Sequence, residues 1–576
     1  MGGEAGSGIK NSALILAKAF VKGGYYVHAN VEYPSIVRGG NNTLEVRMAA
    51  HPVRSLTGQV NLLAALDGRT LRQWSHEIVP GGVLLYDAAA TELSPKEEAK
   101  LRKRKLVLCN VPLRKLLVEH KLPRVMLNTV MLGAICGAVC YDLTLLDEGL
   151  AEVFGRKGAA VVKANLRAAM VGYRYVSEHY QGRIKCQPKM REAQRILLEG
   201  NEAIVLGAIK AGMTSYTGYP MTPTSALLHL TAALKKKFNL FSYQPEDESA
   251  AIQMAIGASY AGVRAMTASS GGGFSLMVES LGLAAMTETP LVVVLGQRPG
   301  PSTGLPTRTA QGDVRFALHS GQDEPPRVVL APGDPAEAFE LTFHAFNIAE
   351  KYQLLVIILG DKYLQEAFWT HTPIKHARLK VDRGKLITTA QVSKFTQYQR
   401  FADTADGVSP RVLPGTAGLN SIWRVSSDEH NPAGFISEDR ENRIAMVKKR
   451  RRKVAAAYQG YLRKLQPVAT YGPAKAKTAV VSFGSNKGVL LDLLDQQTKP
   501  TFKVVLLRCL MPFPQSELVL ALGGVKKILV VEGNDTGLLE GLVREQTGIN
   551  TSAHLRFFDG RPLTERQAGA FLKKHT

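Results

Sequence analysis

The chain has 576 residues, 45% of them hydrophobic and 21% charged, with a formal net charge of +23. This is ordinary globular material, long enough for about three to four domains. The positive charge fits nucleic acid, an anionic cofactor or an acidic protein partner, and it excludes none of the three. The longest apolar run, Val125 to Tyr141, is interrupted by Asn128 and Thr129. It falls short of the roughly 20 residues that a membrane span needs and is expected to be a buried segment. No charged and apolar leader opens the chain, so the cytoplasm is the expected location. The five cysteines form no Cys-x-x-Cys pair. They read as small buried hydrophobes, which leaves no iron–sulfur or zinc site on this chain.

In chain order, "GGEAGSGIKNSALILAKAFVKGG" is a glycine-rich turn (Gly3, Gly6, Gly8) opening an apolar-periodic helix, and "YYVHANVEY" is a strand. Such a turn offers free N–H groups and a helix N-terminus to a phosphate. The strand expected before the loop is missing, so either the start is truncated or the sheet lacks an edge. Between about 150 and 200 the pattern is helical, in "VVKANLRAAMVGYRYV" and "KMREAQRILLEG". A second α/β unit follows, with helices at "EAIVLGAIKAG" and "DESAAIQMAIGASYAG". It continues with strand, loop and helix in "RAMTASSGGGFSLMVESLGLAAM" and with buried strands at "PLVVVLGQ" and "QLLVIILGD". After a polar stretch rich in Gly, Pro and Arg comes the basic helix "DRENRIAMVKKRRRKVAAAYQGYLRKL". A third α/β unit holds the strands "TAVVSFGS", "FKVVLLRCLMPFP" and "KKILVVEGN". Strands alternating with helices predict parallel sheets, so the fold class is α/β with three α/β domains. The boundaries fall at 1–190, 191–375, 376–466 for the irregular linker and basic helix, and 467–576.

Four ordered segments, "GYPMTPTS", "EDESAAIQMAIGASYAGVRAMTASSGGGFSLMVESLG", "GQRPGPSTGLPTRTAQGD" and "RFADTADGVSPRVLPGT", resemble the alpha subunit of 2-oxoacid:ferredoxin oxidoreductases with a gamma domain fused in front. The resemblance is strongest to the 2-oxoglutarate type. It implies a gamma-type first domain with coenzyme A contacts, a second domain that binds the pyrimidine of thiamine diphosphate, and a transketolase C-terminal-like third domain. A separate beta subunit would bind the diphosphate and Mg²⁺ and carry a [4Fe–4S] cluster. Electrons would pass to ferredoxin, and the working unit would be αβ or (αβ)2. This chain has no Gly-Asp-Gly, since "LDGRT", "ADGVS" and "FDGRP" lack the leading glycine. The metal-binding half of the site is therefore expected on the partner.

Thiamine chemistry needs a carboxylic acid at the pyrimidine N1′. A proton shifted there makes the 4′-amino group an imine basic enough to deprotonate the thiazolium carbon. Glu248, at the start of a small-residue helix, takes the place of the family's activating glutamate, with Glu246 and Asp247 as the ordinary first-turn acids. A 2-oxoacid also needs its carboxylate held, which the planar fork of arginine does best. Arg298 directly follows the strand "PLVVVLG", and Arg308 lies further along the loop. The prolines around Thr222, in Tyr219-Pro220-Met221-Thr222-Pro223, present its hydroxyl with little freedom to lose. Tyr219 and Pro220 are candidate cofactor contacts. Met221 and Thr224 depart from the family's usual isoleucine and serine, and "SSGGGF" replaces a Gly-Pro-Gly loop. In the first domain, Arg38 in "VRGGNNTLEVRM" is a candidate coenzyme A phosphate contact, together with Gly3, Gly6 and Gly8.

The implied reaction is coenzyme A-dependent oxidative decarboxylation of a 2-oxoacid, favouring 2-oxoglutarate, with pyruvate or a branched-chain 2-oxoacid as alternatives. A nucleic-acid-binding protein is the rival reading, from the charge and "KKRRRK". That run scans as the solvated face of a helix without interleaved aromatics, so no nucleic acid and no membrane is expected. A dinucleotide-binding oxidoreductase would rest on the N-terminal glycine loop, with Glu32 as its acid.

Overall fold

The valine- and leucine-dense runs become the central strands of three sheets, because a strand covered on both faces has no solvated side and needs no polar alternation. The computed structural model describes residues 1–5, 8–35, 40–182, 184, 195–392, 395, 398–418 and 423–576. They form two compact units. The first comprises Met1–Leu198, Ala367–Ile374 and Leu563–Ala570, and the second Glu199–Glu366, Lys375–Pro562 and Phe571–Thr576.

An eight-stranded sheet organises the first unit. Val60–Ala65, Ile78–Tyr86 and Val107–Asn110 run parallel, and Asn41–Ala49, Tyr26–Glu32 and Phe368–His371 continue it antiparallel. Gly2–Glu4 lies in the middle, parallel to Val60–Ala65 and antiparallel to Asn41–Ala49. The strand that seemed missing before the glycine loop is thus the first three-residue strand of the chain, and Gly3 belongs to it and not to the turn. The apolar run is the buried helix Leu127–Ala138, packed on Ala159–His179. "ILLEG" does not extend a helix, since Ile196–Glu199 is a strand. Cys109, Cys136 and Cys509 are buried thiols. Cys140 departs from that expectation: it is exposed and disulfide-bonded.

The second unit contains the other two sheets. In the seven-stranded sheet the order is Cys509–Met511, Arg327–Leu330, Leu355–Asp361, Leu291–Gln297, Ala265–Ser270, Ser215–Thr217 and Phe241–Tyr243. All are parallel except the Cys509–Met511 edge strand. The five-stranded sheet, Val468–Tyr471, Phe502–Leu507, Thr478–Phe483, Lys527–Glu532 and Ala553–Arg556, is parallel beyond its first antiparallel pair. Both sheets contribute to one hydrophobic core, from Ile252 and Phe274 to Val530 and Leu542.

The basic helix corrects the sequence analysis. Arg440–Gly460 does form, but it is not a solvated charged face, because Lys449 and Lys453 are both fully buried. Their ammonium groups donate to Glu288 Oε1 at 2.5 Å and Oε2 at 2.9 Å. Arg450 donates to both oxygens of Glu429. The linker's arginines are also committed inside the unit. Arg400 donates to the Glu288 carbonyl at 2.8 Å. Arg383 and Arg411 join Arg264 of the preceding domain at the carboxylate of Glu350. Part of the excess positive charge is therefore internal.

Candidate active site

The strands of a parallel α/β sheet place ligands beyond their carboxyl ends. Four segments leave that edge of the seven-stranded sheet: residues 218–224 after Thr217, the helix starting at Glu248 after Tyr243, the helix starting at Gly271 after Ser270, and Arg298 after Gln297.

Glu248 is the first residue of helix Glu248–Tyr260 and is only 3% exposed. Its neighbours are otherwise placed: Asp247 caps the helix by accepting from the Ala250 N–H at 2.7 Å, and Glu246 is exposed. The Glu248 carboxylate receives one long hydrogen bond, from Ser269 Oγ at 3.4 Å, and the same hydroxyl lies 3.7 Å from Met221 Sδ. "SSGGGF" is not a loop, because the strand ends at Ser270 and the helix Gly271–Met286 begins at the next residue. Glycine is needed there: a Cβ at Gly273 would lie 2.3 Å from Glu248 Oε1 and 2.1 Å from Ser269 Oγ. The bare main chain lets the helix close onto the acid.

Arg298 is half-buried, and its Nη1 donates to the Thr222 carbonyl at 2.9 Å. Burial lowers the guanidinium from its ordinary value, while Asp313 and Glu248 pull it back up. Thr222, Arg298 and Glu248 thus lie close together. The turn is fixed from beneath, since Asn201 Nδ2 donates to the Pro223 carbonyl at 3.0 Å and Gln365 Nε2 to Asn201 Oδ1 at 3.2 Å. Thr224 Oγ1 closes the turn on the Met221 carbonyl at 2.8 Å. Tyr219 and Pro220 are exposed at its rim.

Asp313, the last residue of "GQRPGPSTGLPTRTAQGD", has a place in this site that its sequence context does not signal. Burial pushes its carboxyl up to about 6 against the pull of Arg298, and its Oδ2 is buried without a hydrogen-bond partner. Ser269 and Gln311 were likewise missed. A serine next to a glycine run and a glutamine in a loop carry no distinctive signal, because their importance lies in contacts made across the sheet.

These residues fit the pyrimidine of thiamine diphosphate. A buried carboxylate with one long bond faces a wall of main chain without side chains. A flat polar ring needing an acid at one ring nitrogen suits such a place. Among the described residues no group of three or more His, Cys, Asp or Glu could hold a metal ion. No helix among them is long and apolar enough to cross a membrane.

Arg308 lies apart from this cluster along the same loop, with its Cβ and Cγ against the turn at Gly560. In the first unit, Gly8 caps helix Ile9–Lys22 at φ 89°, with no side-chain capping hydrogen bond among the described residues. Gly6 and Arg38 lie outside the described residues.

Comparison with known proteins gives this geometry its context. Residues 206–449 match the family model "Pyruvate flavodoxin/ferredoxin oxidoreductase, thiamine diP-bdg", and residues 1–175 match "Pyruvate ferredoxin/flavodoxin oxidoreductase". The 2-oxoacid:ferredoxin oxidoreductase subunit alpha of Sulfolobus sp is 34% identical, over 98% of this chain and 94% of its own. The 2-oxoglutarate synthase subunit KorA of Archaeoglobus fulgidus is 49% identical over 29% of this chain and 48% of its own. A solved 2-oxoglutarate:ferredoxin oxidoreductase from Magnetococcus marinus, with 2-oxoglutarate, coenzyme A and succinyl-CoA bound, superimposes with a TM-score of 0.90. It is 29% identical and covers 100% of this chain and 98% of that one. Fold and site therefore define a subunit of a thiamine diphosphate-dependent oxidoreductase. The chain belongs to the 2-oxoacid:ferredoxin oxidoreductase alpha subunits, and as an alpha subunit it works in a multi-subunit enzyme.

Proposed function

We propose that the substrate is 2-oxoglutarate, converted with coenzyme A to succinyl-CoA and CO2 while two electrons pass through a partner's [4Fe–4S] cluster to ferredoxin. The ligands named for the Magnetococcus marinus structure and the printed names of the KorA relatives support this substrate. A beta subunit would hold the diphosphate and Mg²⁺, the assembly being αβ or (αβ)2 in the cytoplasm. Coenzyme A would be met by the Gly8 helix N-terminus and by Arg38 in the first unit. The third domain would be the transketolase C-terminal-like module, within the boundaries drawn from the sequence.

When bound, thiamine diphosphate supplies the carbon nucleophile for the 2-oxo carbonyl and the electron sink for loss of CO2. This chain would hold its pyrimidine with Glu248 and the rim residues Tyr219 and Pro220. Glu248 holds and moves the proton at the pyrimidine N1′, its burial excluding water from that exchange. Arg298 binds the 1-carboxylate, Thr222 donates its hydroxyl to the carboxylate or carbonyl, and Arg308 meets the distal carboxylate. The observation that carries this reading is the bond from Arg298 to the Thr222 carbonyl beside the buried acid.

The test is co-expression with the partner subunit, followed by assay of 2-oxoglutarate, pyruvate and a branched-chain 2-oxoacid with coenzyme A and a low-potential acceptor. The highest kcat/KM is expected for 2-oxoglutarate. A preference for pyruvate or the branched acid would reject the substrate, and turnover by this chain alone would reject the partition of the site.

A further inference from the structure

The loop between Arg298 and Asp313 is riveted to the five-stranded sheet, whose domain supplies none of the candidate site residues. Gln311, 2% exposed, is the rivet. Its Oε1 accepts from Asn486 Nδ2 and from the Gly533 N–H, both at 2.9 Å. Its Nε2 donates to Asp361 Oδ2 at 3.2 Å and to the Phe483 carbonyl at 3.3 Å. Its own N–H donates to the Gly533 carbonyl at 2.7 Å, and its carbonyl accepts from Asn534 Nδ2 at 3.2 Å. One side chain and its peptide groups therefore join the carboxyl ends of Leu355–Asp361 in one sheet to those of Thr478–Phe483 and Lys527–Glu532 in the other.

The surroundings are built for a carboxamide. Gly484 has φ 62°, and a Cβ there would lie 2.8 Å from Gln311 Nε2. Asp361 is committed on both oxygens, accepting also from the Leu364 N–H at 2.9 Å and Ser485 Oγ at 2.8 Å. Two further bonds fix the same loop: the Thr309 N–H to the Gly560 carbonyl at 3.1 Å, and the Asp313 N–H to Gln297 Oε1 at 3.1 Å. The segment that carries both arginines proposed to hold substrate is therefore bonded to the third domain through Thr309 and Gln311.

We propose that Gln311 is a positioning residue for the 2-oxoacid: by locking the arginine loop to the five-stranded sheet it sets substrate affinity without touching substrate. The proposal rests on the reading that Arg298 and Arg308 hold the substrate.

Gln311→Met keeps the volume and removes the side-chain hydrogen bonds. In the assembled enzyme it raises the 2-oxoacid KM roughly 10- to 100-fold, with kcat and the coenzyme A KM within about two-fold, because loop displacement misplaces the carboxylate clamp only. Gln311→Glu sets a second carboxylate against Asp361, so its 2-oxoacid KM climbs with pH more steeply than that of the unaltered enzyme. Asp361→Asn in the Gln311→Glu background abolishes the added climb by restoring a donor and acceptor pair. Arg298→Lys is run alongside. A Gln311→Met enzyme with a lower melting temperature and unchanged KM, or with kcat and every KM altered together, overturns the proposal. If Gln311→Met does not fold, a pH profile of KM in Gln311→Glu no steeper than that of the unaltered enzyme overturns it. An unchanged KM in Arg298→Lys removes the underlying reading, and this inference with it. A raised KM in Arg298→Lys beside a normal one in Gln311→Met rejects the inference alone.

Discussion

Arg298 Nη1 donates to the main-chain carbonyl of Thr222 at 2.9 Å, so the arginine that would grip a carboxylate also fixes the turn that would present a hydroxyl to it. Because one guanidinium serves both, Arg298→Lys should cost the full worth of a charge-assisted bond even though the charge is kept. A lysine ammonium cannot spread two donors to a carboxylate while holding the turn. KM should rise for every 2-oxoacid together, with kcat/KM falling roughly 10- to 150-fold, the equivalent of about 1.5–3 kcal/mol for a charge-assisted bond. Steady-state kinetics on two or three 2-oxoacids check it, and a loss confined to one substrate would contradict a grip on the shared carboxylate.

Glu248→Gln keeps the side-chain volume and the Ser269 contact but cannot relay a proton. The fall should be in kcat, about 10²- to 10⁴-fold for one acid–base group, with assembly intact. Hydrogen–deuterium exchange at the thiazolium carbon would report the same loss apart from turnover. Near-normal exchange in the variant would move the proton relay to another group.

Asp313 supplies the pH dependence. Its folded carboxyl titrates near 6, above the ordinary 3.8, because burial disfavours its charge more than Arg298 favours it. For a raised carboxyl the folded state holds the extra proton. Its contribution to stability is present below the unfolded value and is lost as pH rises through about 6. The ionised form also competes with substrate for Arg298. The 2-oxoacid KM should therefore rise with pH between about 5 and 7, and Asp313→Asn should flatten that rise and be more stable at pH 8. A pH series of KM and melting temperature for both proteins gives the answer; parallel profiles would refute it.

Glu288 shows how far a charge run can mislead. Burial works to raise its carboxyl, yet Lys453, Lys449 and Arg400 hold it well below the carboxylate range. Glu288→Gln leaves two buried ammoniums facing an amide, and should cost about 3–5 kcal/mol in chemical denaturation, as breaking a buried pair does. Lys449→Met leaves the carboxylate matched with Lys453, and should cost clearly less. Equal costs would show that packing and not charge sets the energy.

That contrast also marks where the sequence stops being readable. The strands at Leu291–Gln297 and Leu355–Asp361, the helix carrying Glu248 and the turn at Thr222 were legible, because apolar runs and proline spacing are local signals. The burial of Lys449 and Lys453 was not, since their partner stands some 160 residues earlier, on a different element. Three consecutive acids could not be sorted by type, but their geometry separates a cap, an exposed acid and a buried one. The glycine triplet looked like a loop because its function is close approach, and the side chains approached come from the preceding strand and another helix.

Arg308 decides whether specificity lies on this chain. It follows Arg298 on the same fixed segment, its stem braced against the turn at Gly560 and its neighbour Thr309 bonded to the Gly560 carbonyl at 3.1 Å. A side chain with a braced stem loses less freedom on meeting a second carboxylate, which 2-oxoglutarate has and pyruvate lacks. Arg308→Ala should therefore lower kcat/KM for 2-oxoglutarate by roughly 10- to 150-fold and leave pyruvate nearly unchanged. Arg308→Lys should recover part of the loss, because the ammonium keeps the charge without the fork. Both substrates measured on both variants settle the matter. Equal losses in Arg308→Ala would mean that this arginine reads no distal carboxylate, and the group that tells 2-oxoglutarate from pyruvate would then belong to the partner subunit.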